Sequence, residues 1–133
     1  MANIEITNND TTGIVIWEPI TKSDTLTVAG AGTTLKGTLL ARDSSTLKLI
    51  PYVKGGSTND NGTVRAVLLE DQVATGAGDL AIFPLISGQI RSADLVIAAD
   101  GDNSNVDAAV LDALRQTGII ARSTTELSEL DNQ

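Results

Sequence analysis

Aromatic side chains are nearly missing from this chain, which has one Trp, one Tyr and one Phe among its 133 residues. Aromatic rings normally supply a large share of the surface that a core buries. The core must therefore be built from Val, Ile, Leu and Ala. Hydrophobic residues make up 41% of the sequence and charged residues 20%, so the chain can fold and is long enough for one domain.

Histidine and cysteine are both missing from the sequence. Their absence excludes Ser-His-Asp and Cys-His catalysis, zinc sites built on thiolate or imidazole, haem and iron–sulfur ligation, and disulfides. The formal net charge of −8 argues against nucleic acid and anionic membranes as partners. The sequence therefore predicts a protein that is not an enzyme and that has no catalytic residues, no cofactor and no functional metal.

The negative charge is concentrated in the second half of the sequence. Residues 1–69 contain six acidic and six basic side chains, whereas residues 70–133 contain eleven acidic and three basic ones. Three minus eleven accounts for the whole net charge of −8. One interpretation is a solvated acidic surface. The other is that the acidic half faces away from a partner which the neutral half contacts.

Residues 1–34 are rich in Thr, Asn and Gly and show little periodic pattern. Within them, residues 14–17 form a short apolar run of the kind that a strand buries, and Pro19 ends it. Residues 29–32 have the small side chains of a flexible hinge. We interpret residues 1–34 as an arm with one adhesive strand. The alternative is that residues 14–17 are a core strand of the domain.

Apolar runs separated by polar turns predict strands in the middle of the chain. These runs are 38–42, 46–52, 63–69 and 79–86. The first two are joined by a short polar turn at 43–45, so they predict a hairpin. Pro84 indicates an edge or a bulge in the last run, which residues 88–90 continue past a kink.

Helical periodicity is clearest near the C-terminus. Apolar residues recur there at i, i+3, i+4, i+7 and i+8, namely Val106, Ala109, Val110, Ala113 and Leu114. The pattern predicts a helix over about 105–117, capped by Asn105 and ended by Gly118. Residues 92–95 predict a shorter helical turn, and residues 123–126 match a capping box. Strands followed by one main C-terminal helix predict a small, β-rich α+β domain.

Two motifs fall short of the chemistry they suggest. Residues 32–38 have the glycine spacing of a P-loop, but Thr38 stands where a lysine must reach the phosphates. Residues 100–107 place oxygen ligands at alternate positions, but Asn105 and Leu111 stand where an EF-hand needs glycine and glutamate. We interpret the first as a flexible link and the second as a polar loop before a helix cap, with a weak, non-standard cation site as the alternative.

Four stretches occur in an order that is typical of one family: 39–42, 47–52, 62–71 and 111–119. The first two look like an opening hairpin with a Pro-Tyr ending. The third looks like the strand and acidic turn that follow, and the fourth like a closing helix with a Gly-Ile stop. Residues 37–120 thereby resemble the head decoration proteins of tailed bacteriophages, the group typified by the lambda decoration protein. The sequence departs from the pattern at Val67, where the family often has glycine.

The resemblance implies a decoration-protein-like, trimeric fold and a structural role in the virion. Such a homotrimer binds the major capsid protein on the outer surface of the expanded shell, which it cements after being made in the host cytoplasm. Family arms are mobile when free and ordered on the capsid. We therefore expect residues 1–34 to be a capsid-binding arm and residues 35–133 to be the decoration domain. The predicted capsid-binding residues are the large apolar ones of the arm: Ile4, Ile6, Ile14, Val15, Ile16 and Trp17.

A carbohydrate-binding, lectin-like surface module is the alternative function. Such a module would also lack catalytic residues, and Trp17 and Tyr52 could stack against one sugar ring. A glycosidase is disfavoured, because three aromatic residues supply little of the surface that grips a sugar beside paired carboxylates.

Overall fold

The computed structural model describes residues 15–123, with side chains from residue 19 onward. The strands are β1 (Val15–Thr21), β2 (Asp24–Val28), β3 (Gly32–Thr34), β4 (Leu39–Arg42), β5 (Leu49–Pro51), β6 (Val64–Val67), β7 (Gln72–Ala74), β8 (Gly78–Ile82), β9 (Leu85–Arg91) and β10 (Ile119–Arg122). A short 3-10 helix (Ser92–Asp94) follows β9, and the helix α1 (Ala108–Thr117) precedes β10. The predicted α+β class, a β-rich domain with a C-terminal helix, is confirmed.

Most of the strands belong to one sheet, in the order β1-β9-β6-β4-β5-β2-β8, with β10 also paired to β9. The predicted hairpin is present as the antiparallel pair β4–β5. β3 and β7 pair separately in a two-stranded sheet. β9 runs antiparallel to β1 on one side and parallel to β10 on the other, so that Val15 and Ala121 both lie opposite Ile90.

A long antiparallel ribbon joins distant parts of the chain. Residues 15–28 pair with residues 78–91, from Val15 opposite Ile90 to Val28 opposite Gly78. The ribbon is interrupted once, between β1 and β2 on one strand and at Phe83–Pro84 between β8 and β9 on the other. The sequence predicts an edge or a bulge at Pro84 within one strand over 79–86, whereas the structure has two strands there, because a proline cannot donate to a ladder.

Two hydrophobic cores lie on opposite faces of the central strands. In β4, Leu39 and Ala41 belong to the larger core, whereas Leu40 belongs to the smaller one, as alternation along a strand requires. The larger core also holds Tyr52, Val64, Val67, Leu69, Leu85, Ile90, Leu95, Ile97, Val110, Leu114 and Ile119. The smaller core also holds Leu26, Val28, Leu49, Ala66, Leu68, Ala74 and Ile82. Both cores are almost entirely aliphatic, as the composition predicts.

The C-terminal helix begins later than the periodicity predicts. Its N-cap is Asp107 and not Asn105, because the Asp107 carboxylate accepts a hydrogen bond from the Val110 amide at 3.1 Å. Its C-cap is Gly118, as predicted, with the left-handed φ of 100° that glycine adopts without strain. The buried helix residues Val110 and Leu114 anchor it in the larger core.

The second strand of the predicted hairpin is shorter than the run 46–52. β5 is confined to Leu49–Pro51, because Leu47 has a φ of 64° that no regular strand allows. The predicted turn at 43–45 is confirmed, since the Asp43 carboxylate accepts hydrogen bonds from the Ser45 and Thr46 amides. The 3-10 helix likewise confirms the helical turn predicted at 92–95.

Residues 15–34 contain three strands that pair with strands beyond residue 34, β1 and β2 in the main sheet and β3 in the two-stranded sheet. β1 pairs with β9, and β2 lies between β5 and β8. Leu26 is fully buried and helps to close the smaller core. The alternation of Leu26 and Val28 with threonines is a strand pattern that the high threonine content conceals. Residues 1–14 of the expected arm, and the capping box from residue 124 onward, lie outside the described residues.

Candidate binding surface

The predicted capsid-binding residues are divided by the limits of the described chain. Val15, Ile16 and Trp17 fall in β1, where the backbone of Val15 lies opposite Ile90 and that of Trp17 opposite Gln89. The side chains of these three residues are not among those described. The remaining predicted residues lie outside the described part altogether: Ile4, Ile6 and Ile14.

Within residues 15–123, β1 is an edge strand that pairs with β9 alone. Its register against β9 shifts three times, between Val15 and Trp17, between Trp17 and Ile20, and between Ile20 and Thr21. Pro19 lies inside the irregular part. Bulges and prolines are the usual devices that keep an edge strand from pairing further, so the edge of β1 is a poor template for another strand.

Two exposed isoleucines lie on the strands that flank β9. Ile20 lies on β1 opposite Ser87, and Ile120 lies on β10 opposite Gln89. Their side chains are 53% and 44% exposed. Leu85 and Ile90 are five residues apart and both belong to the larger core, so the alternation of β9 is interrupted between them, where Gly88 has a φ of 135°. We call the surface of the two isoleucines, with the neighbouring residues named below, the β9 outer face.

Two arginines complete the β9 outer face. Arg91 and Arg122 lie opposite each other in the parallel β9–β10 register, and both are exposed. Arg122 also donates a hydrogen bond from Nη1 to Oε1 of Gln89 at 3.2 Å. Arg91 Nη1 lies 3.7 Å from Oδ2 of Asp94, a long contact for an ion pair. The face thus combines apolar and positive groups in a chain whose net charge is −8.

The opposite side of the same strands is filled by the larger core. Ile90 and Ile119 are fully buried there, and α1 packs on β10 and β6. Gly118 connects the helix to β10, and its carbonyl accepts a hydrogen bond from the Gly88 amide at 3.1 Å. The β9 outer face is therefore held on a rigid, well-packed backing.

Ion pairs connect the neutral and acidic halves of the sequence. Lys48 Nζ lies 2.6 Å from Oδ2 of Asp79, and Lys54 Nζ lies 2.6 Å from Oδ2 of Asp107. In each pair the hydrogen bond from the lysine is the main cause that lowers the carboxyl pKa. Strands β8 and β9 of the acidic half also lie next to β2, β1 and β6 of the neutral half. The division of charge along the sequence is therefore not a division of the fold into two parts.

A bidentate ion pair fixes the end of the β4–β5 hairpin. Arg42 donates from Nη2 and Nη1 to the two carboxylate oxygens of Asp24, at 2.7 and 3.2 Å. This hydrogen bonding lowers the pKa of Asp24 despite its partial burial. Arg42 Nη1 also donates to the Leu47 carbonyl at 3.0 Å. One guanidinium thus ties β2 to a turn residue whose backbone has an unfavourable conformation.

The loop at 100–107 uses its polar groups internally. Oδ1 of Asp102 accepts the Ser104 amide at 2.9 Å, and Oδ2 of Asp100 accepts from the Asn105 side-chain amide at 3.0 Å. Hydrogen bonds from Ser104 lower the pKa of Asp102. No group of three or more Asp, Glu, His or Cys residues in the described chain is arranged to hold a metal ion.

An open cleft of about 430 Å³ lies between the β3–β4 connection and the segment after β9. Its walls combine Leu35 and Leu95 with the carboxylates of Asp71, Asp94 and Asp102. Asp71 accepts the Lys36 amide at 2.7 Å, and Asp102 is engaged by Ser104 as described. Two of the three carboxylates therefore already serve to hold the local backbone.

Tyr52 is only 6% exposed and belongs to the larger core. Burial is the main cause that raises the pKa of its hydroxyl. A ring that stacks against a sugar needs an exposed face. Tyr52 therefore offers no exposed ring face for a stacking pair with Trp17.

Sequence reasoning did not identify the side chains of the β9 outer face. Ile20 was within the expected arm, and 119–122 was not recognised as a strand. The signal was present as an Ile-Ile-Ala-Arg run directly after the Gly118 stop. Four residues are too few to show a period, so their parallel pairing with β9 depends on tertiary structure.

No protein-family model matches this chain, and no curated protein matches it either. In the part of the chain that the structure describes, no helix has both the length and the apolar character needed to cross a membrane.

Proposed function

We propose that this chain is a structural protein of a tailed-phage virion, which binds the outer surface of the expanded capsid as a homotrimer and stabilises the shell. The proposal starts from the resemblance of residues 37–120 to the head decoration proteins. Its partner is the major capsid protein. It involves no catalytic group and no cofactor.

The observation that carries the proposal is how the four resembling stretches are arranged in space. β4 pairs with both β5 and β6, so the first three stretches form one antiparallel unit. Leu114 and Ile119, from the fourth stretch, lie in the same core as Leu39 and Val67. Stretches that are far apart in sequence thus build a single core, as the proposed decoration domain requires.

The capsid contact in this proposal is centred on the β9 outer face. β1 pairs with β9 beside this face, and its residues include Val15, Ile16 and Trp17 of the predicted capsid-binding set. Ile20 and Ile120 offer exposed apolar surface there, and Arg91 and Arg122 offer charge-assisted hydrogen bonds. Three copies per trimer would bind with avidity, so a modest affinity at each face is sufficient.

The direct test is cosedimentation of the purified chain with heads assembled from its own major capsid protein, before and after expansion. We expect the chain to bind expanded heads and not unexpanded ones, and to raise the temperature at which the expanded heads come apart. Equal binding to both forms, or no binding to either, would contradict the proposed function.

The contact itself is tested by Ile20→Asp, with Val73→Asp as a matched control. Both isoleucine and valine are exposed, at 53% and 70%, but Val73 lies on β7, outside the main sheet. We expect Ile20→Asp to weaken capsid binding by at least about tenfold, because a buried carboxylate without a partner is costly. Val73→Asp is expected to bind normally. An equal loss of capsid binding in both variants would show that the capsid contact is not centred on the β9 outer face.

The role of the arm is tested in the full-length chain by combining Ile4→Asp with Ile6→Asp. We expect normal melting and loss of capsid binding, since both positions precede the described sheet. A deletion of residues 1–20 is a poorer test, because it would also remove most of β1 and its pairing with β9. Normal capsid binding of the double variant would show that Ile4 and Ile6 do not contribute to the capsid contact.

The homotrimer is tested by light scattering at micromolar concentration and by counting copies on the capsid. We expect three chains per particle, in line with closed cyclic symmetry. A chain that is monomeric both in solution and on the capsid would contradict this part of the proposal.

A further inference from the structure

The two terminal strands of the main sheet have very different free edges. In the long ribbon of residues 15–28 and 78–91, two of the four strands are paired on both edges. β2 pairs with β5 as well as with β8, and β9 pairs with β6 and β10 as well as with β1. Among the described residues, β1 and β8 are therefore each left with one unpaired edge. As described above, the register shifts and Pro19 of β1 oppose further pairing.

β8 has none of the protective devices that β1 has. All five of its residues pair with β2 in an unbroken register, from Gly78 opposite Val28 to Ile82 opposite Asp24. The strand contains no proline and no lysine, and its single charge, on Asp79, is already paired with Lys48. The exposed Phe83, at 67%, follows directly. A regular, mainly apolar edge of this kind is a template for another strand.

The sequence of β8 is compatible with pairing to itself. If two copies align antiparallel across a two-fold axis, the register that pairs all five residues is centred on Leu80. Asp79 of one copy then lies opposite Ala81 of the other, so no like charges face each other. Ala81 is exposed, and its side chain shares a face with Asp79. Gly78 lies opposite Ile82, which avoids a collision of two large side chains at the strand ends.

We propose that the free edge of β8 binds the β8 edge of a second copy of this chain, antiparallel and centred on Leu80. The two main sheets become continuous across the contact, and the two Phe83 side chains lie at its ends. This association is separate from capsid binding and from the proposed trimer. Five residues from each copy bury little surface, so the contact is weak and forms at high local concentration.

The experiment compares Ala81→Asp with Ala81→Lys in the full-length chain. Each variant puts one charged side chain at the same exposed strand position, beside Asp79 of its own chain. In the proposed register, residue 81 lies opposite Asp79 of the second copy. An aspartate at 81 repels that carboxylate, whereas a lysine at 81 attracts it. Melting temperatures of both variants serve as the control for folding.

Sedimentation is measured from micromolar to roughly millimolar protein, the range of the weakest specific contacts. We expect the mass of a monomeric unmodified chain to double from its value at low concentration, and the mass of a trimer, which has three β8 edges, at least to double. Ala81→Asp should weaken the doubling by about tenfold, through two symmetric like-charge contacts. Ala81→Lys should preserve or strengthen it. Equal behaviour of the two variants, or no doubling of the unmodified chain, would overturn the proposal.

Hydrogen exchange of the β8 amides gives a second readout. We expect their protection to increase with protein concentration in the unmodified chain and in Ala81→Lys, but not in Ala81→Asp. Protection that is independent of concentration would mean that a segment of the same chain covers this edge, which would overturn the proposal. Because capsid binding is assayed separately, a failure here leaves the proposed function unaffected.

Discussion

The two faces of the central strands β4 and β6 are closed in different ways. On the larger-core face, the covering elements are β9, α1 and β10, which follow one another within residues 85–122. On the smaller-core face, Leu26 and Val28 come from the N-terminal part of the chain and Ile82 comes from β8. One face is thus closed by consecutive elements, and the other by strands that are more than fifty residues apart.

This difference explains why residues 24–28 resemble part of an arm when the sequence is read alone. Residues 24–28 have no apolar cluster of their own and bury their leucine and valine only when β5 and β8 lie on either side. A segment that depends on distant strands looks like an arm when it is considered alone. In the fold, residues 24–28 cover the smaller core.

The largest expected effect comes from truncating one side chain in each core. Leu26 and Leu114 are both fully buried, so Leu26→Ala and Leu114→Ala should each lower the free energy of unfolding by about 2–5 kcal/mol. If the two faces form one cooperative unit, each variant shows a single transition in denaturant. The exposed Val73→Ala, expected to change stability by less than about 0.5 kcal/mol, is the control. A negligible effect of Leu26→Ala on the free energy of unfolding would indicate that residues 15–34 form a separable arm.

Acid should destabilise both faces. The carboxyls of Asp24, beside the smaller core, and of Asp107, at the start of α1, have folded-state pKa values lowered chiefly by Arg42 and Lys54. The unfolded chain then binds more protons in acid, so stability is present above the ordinary carboxyl pKa and is lost as the pH falls through the folded values. We expect the melting temperature to decline from roughly pH 5 downward. A melting temperature that is constant between pH 6 and pH 3 would contradict this.

Asp24→Asn separates the contribution of one of these pairs. It removes the charge from a partly buried, bidentate pair, so at pH 7 it should lower the free energy of unfolding by about 1 kcal/mol. The same variant should show a weaker decline in acid than the unmodified chain. An unchanged acid profile in Asp24→Asn would mean that the Arg42 pair does not lower this pKa.

The smallest effect concerns the hairpin turn. Leu47 is 68% exposed and has a φ of 64°, which costs energy for any residue with a branched side chain. Leu47→Gly should raise the free energy of unfolding by a few tenths of a kcal/mol, since relief of strain slightly exceeds the added backbone entropy. Chemical denaturation measures the change, and a clear loss of stability would show that the exposed leucine makes a stabilising contact.

The parts of the fold that sequence predicted are those governed by local chemistry. The hairpin turn at Asp43 and the helix end at Gly118 each follow from the conformational preference of one residue type. The N-cap was assigned two residues early because Asn105 and Asp107 are both good caps, and only the position of the chain in the core decides between them.

What sequence did not predict depends on contacts between distant residues. β2 and β10 are short strands whose identity comes from their neighbours, β5 and β8 in one case and β9 in the other. The β9 outer face exists only because β1 and β10 flank the same strand. Ile20 and Ile120, a hundred positions apart in sequence, could not have been linked by any local pattern.

The pairing of Val15 and Ala121 with the same residue, Ile90, has a mechanical consequence. The two flanking strands run in opposite directions, so the chain enters β1 and leaves β10 at the same end of the sheet, about 10 Å apart by two strand spacings. Tension applied between these two points would peel β1 and β10 from β9 one hydrogen bond at a time. Such unzipping requires little force, whereas shear loads every bond of a strand together. A load can therefore be carried through the faces of this domain far better than through the two points where the described chain enters β1 and leaves β10.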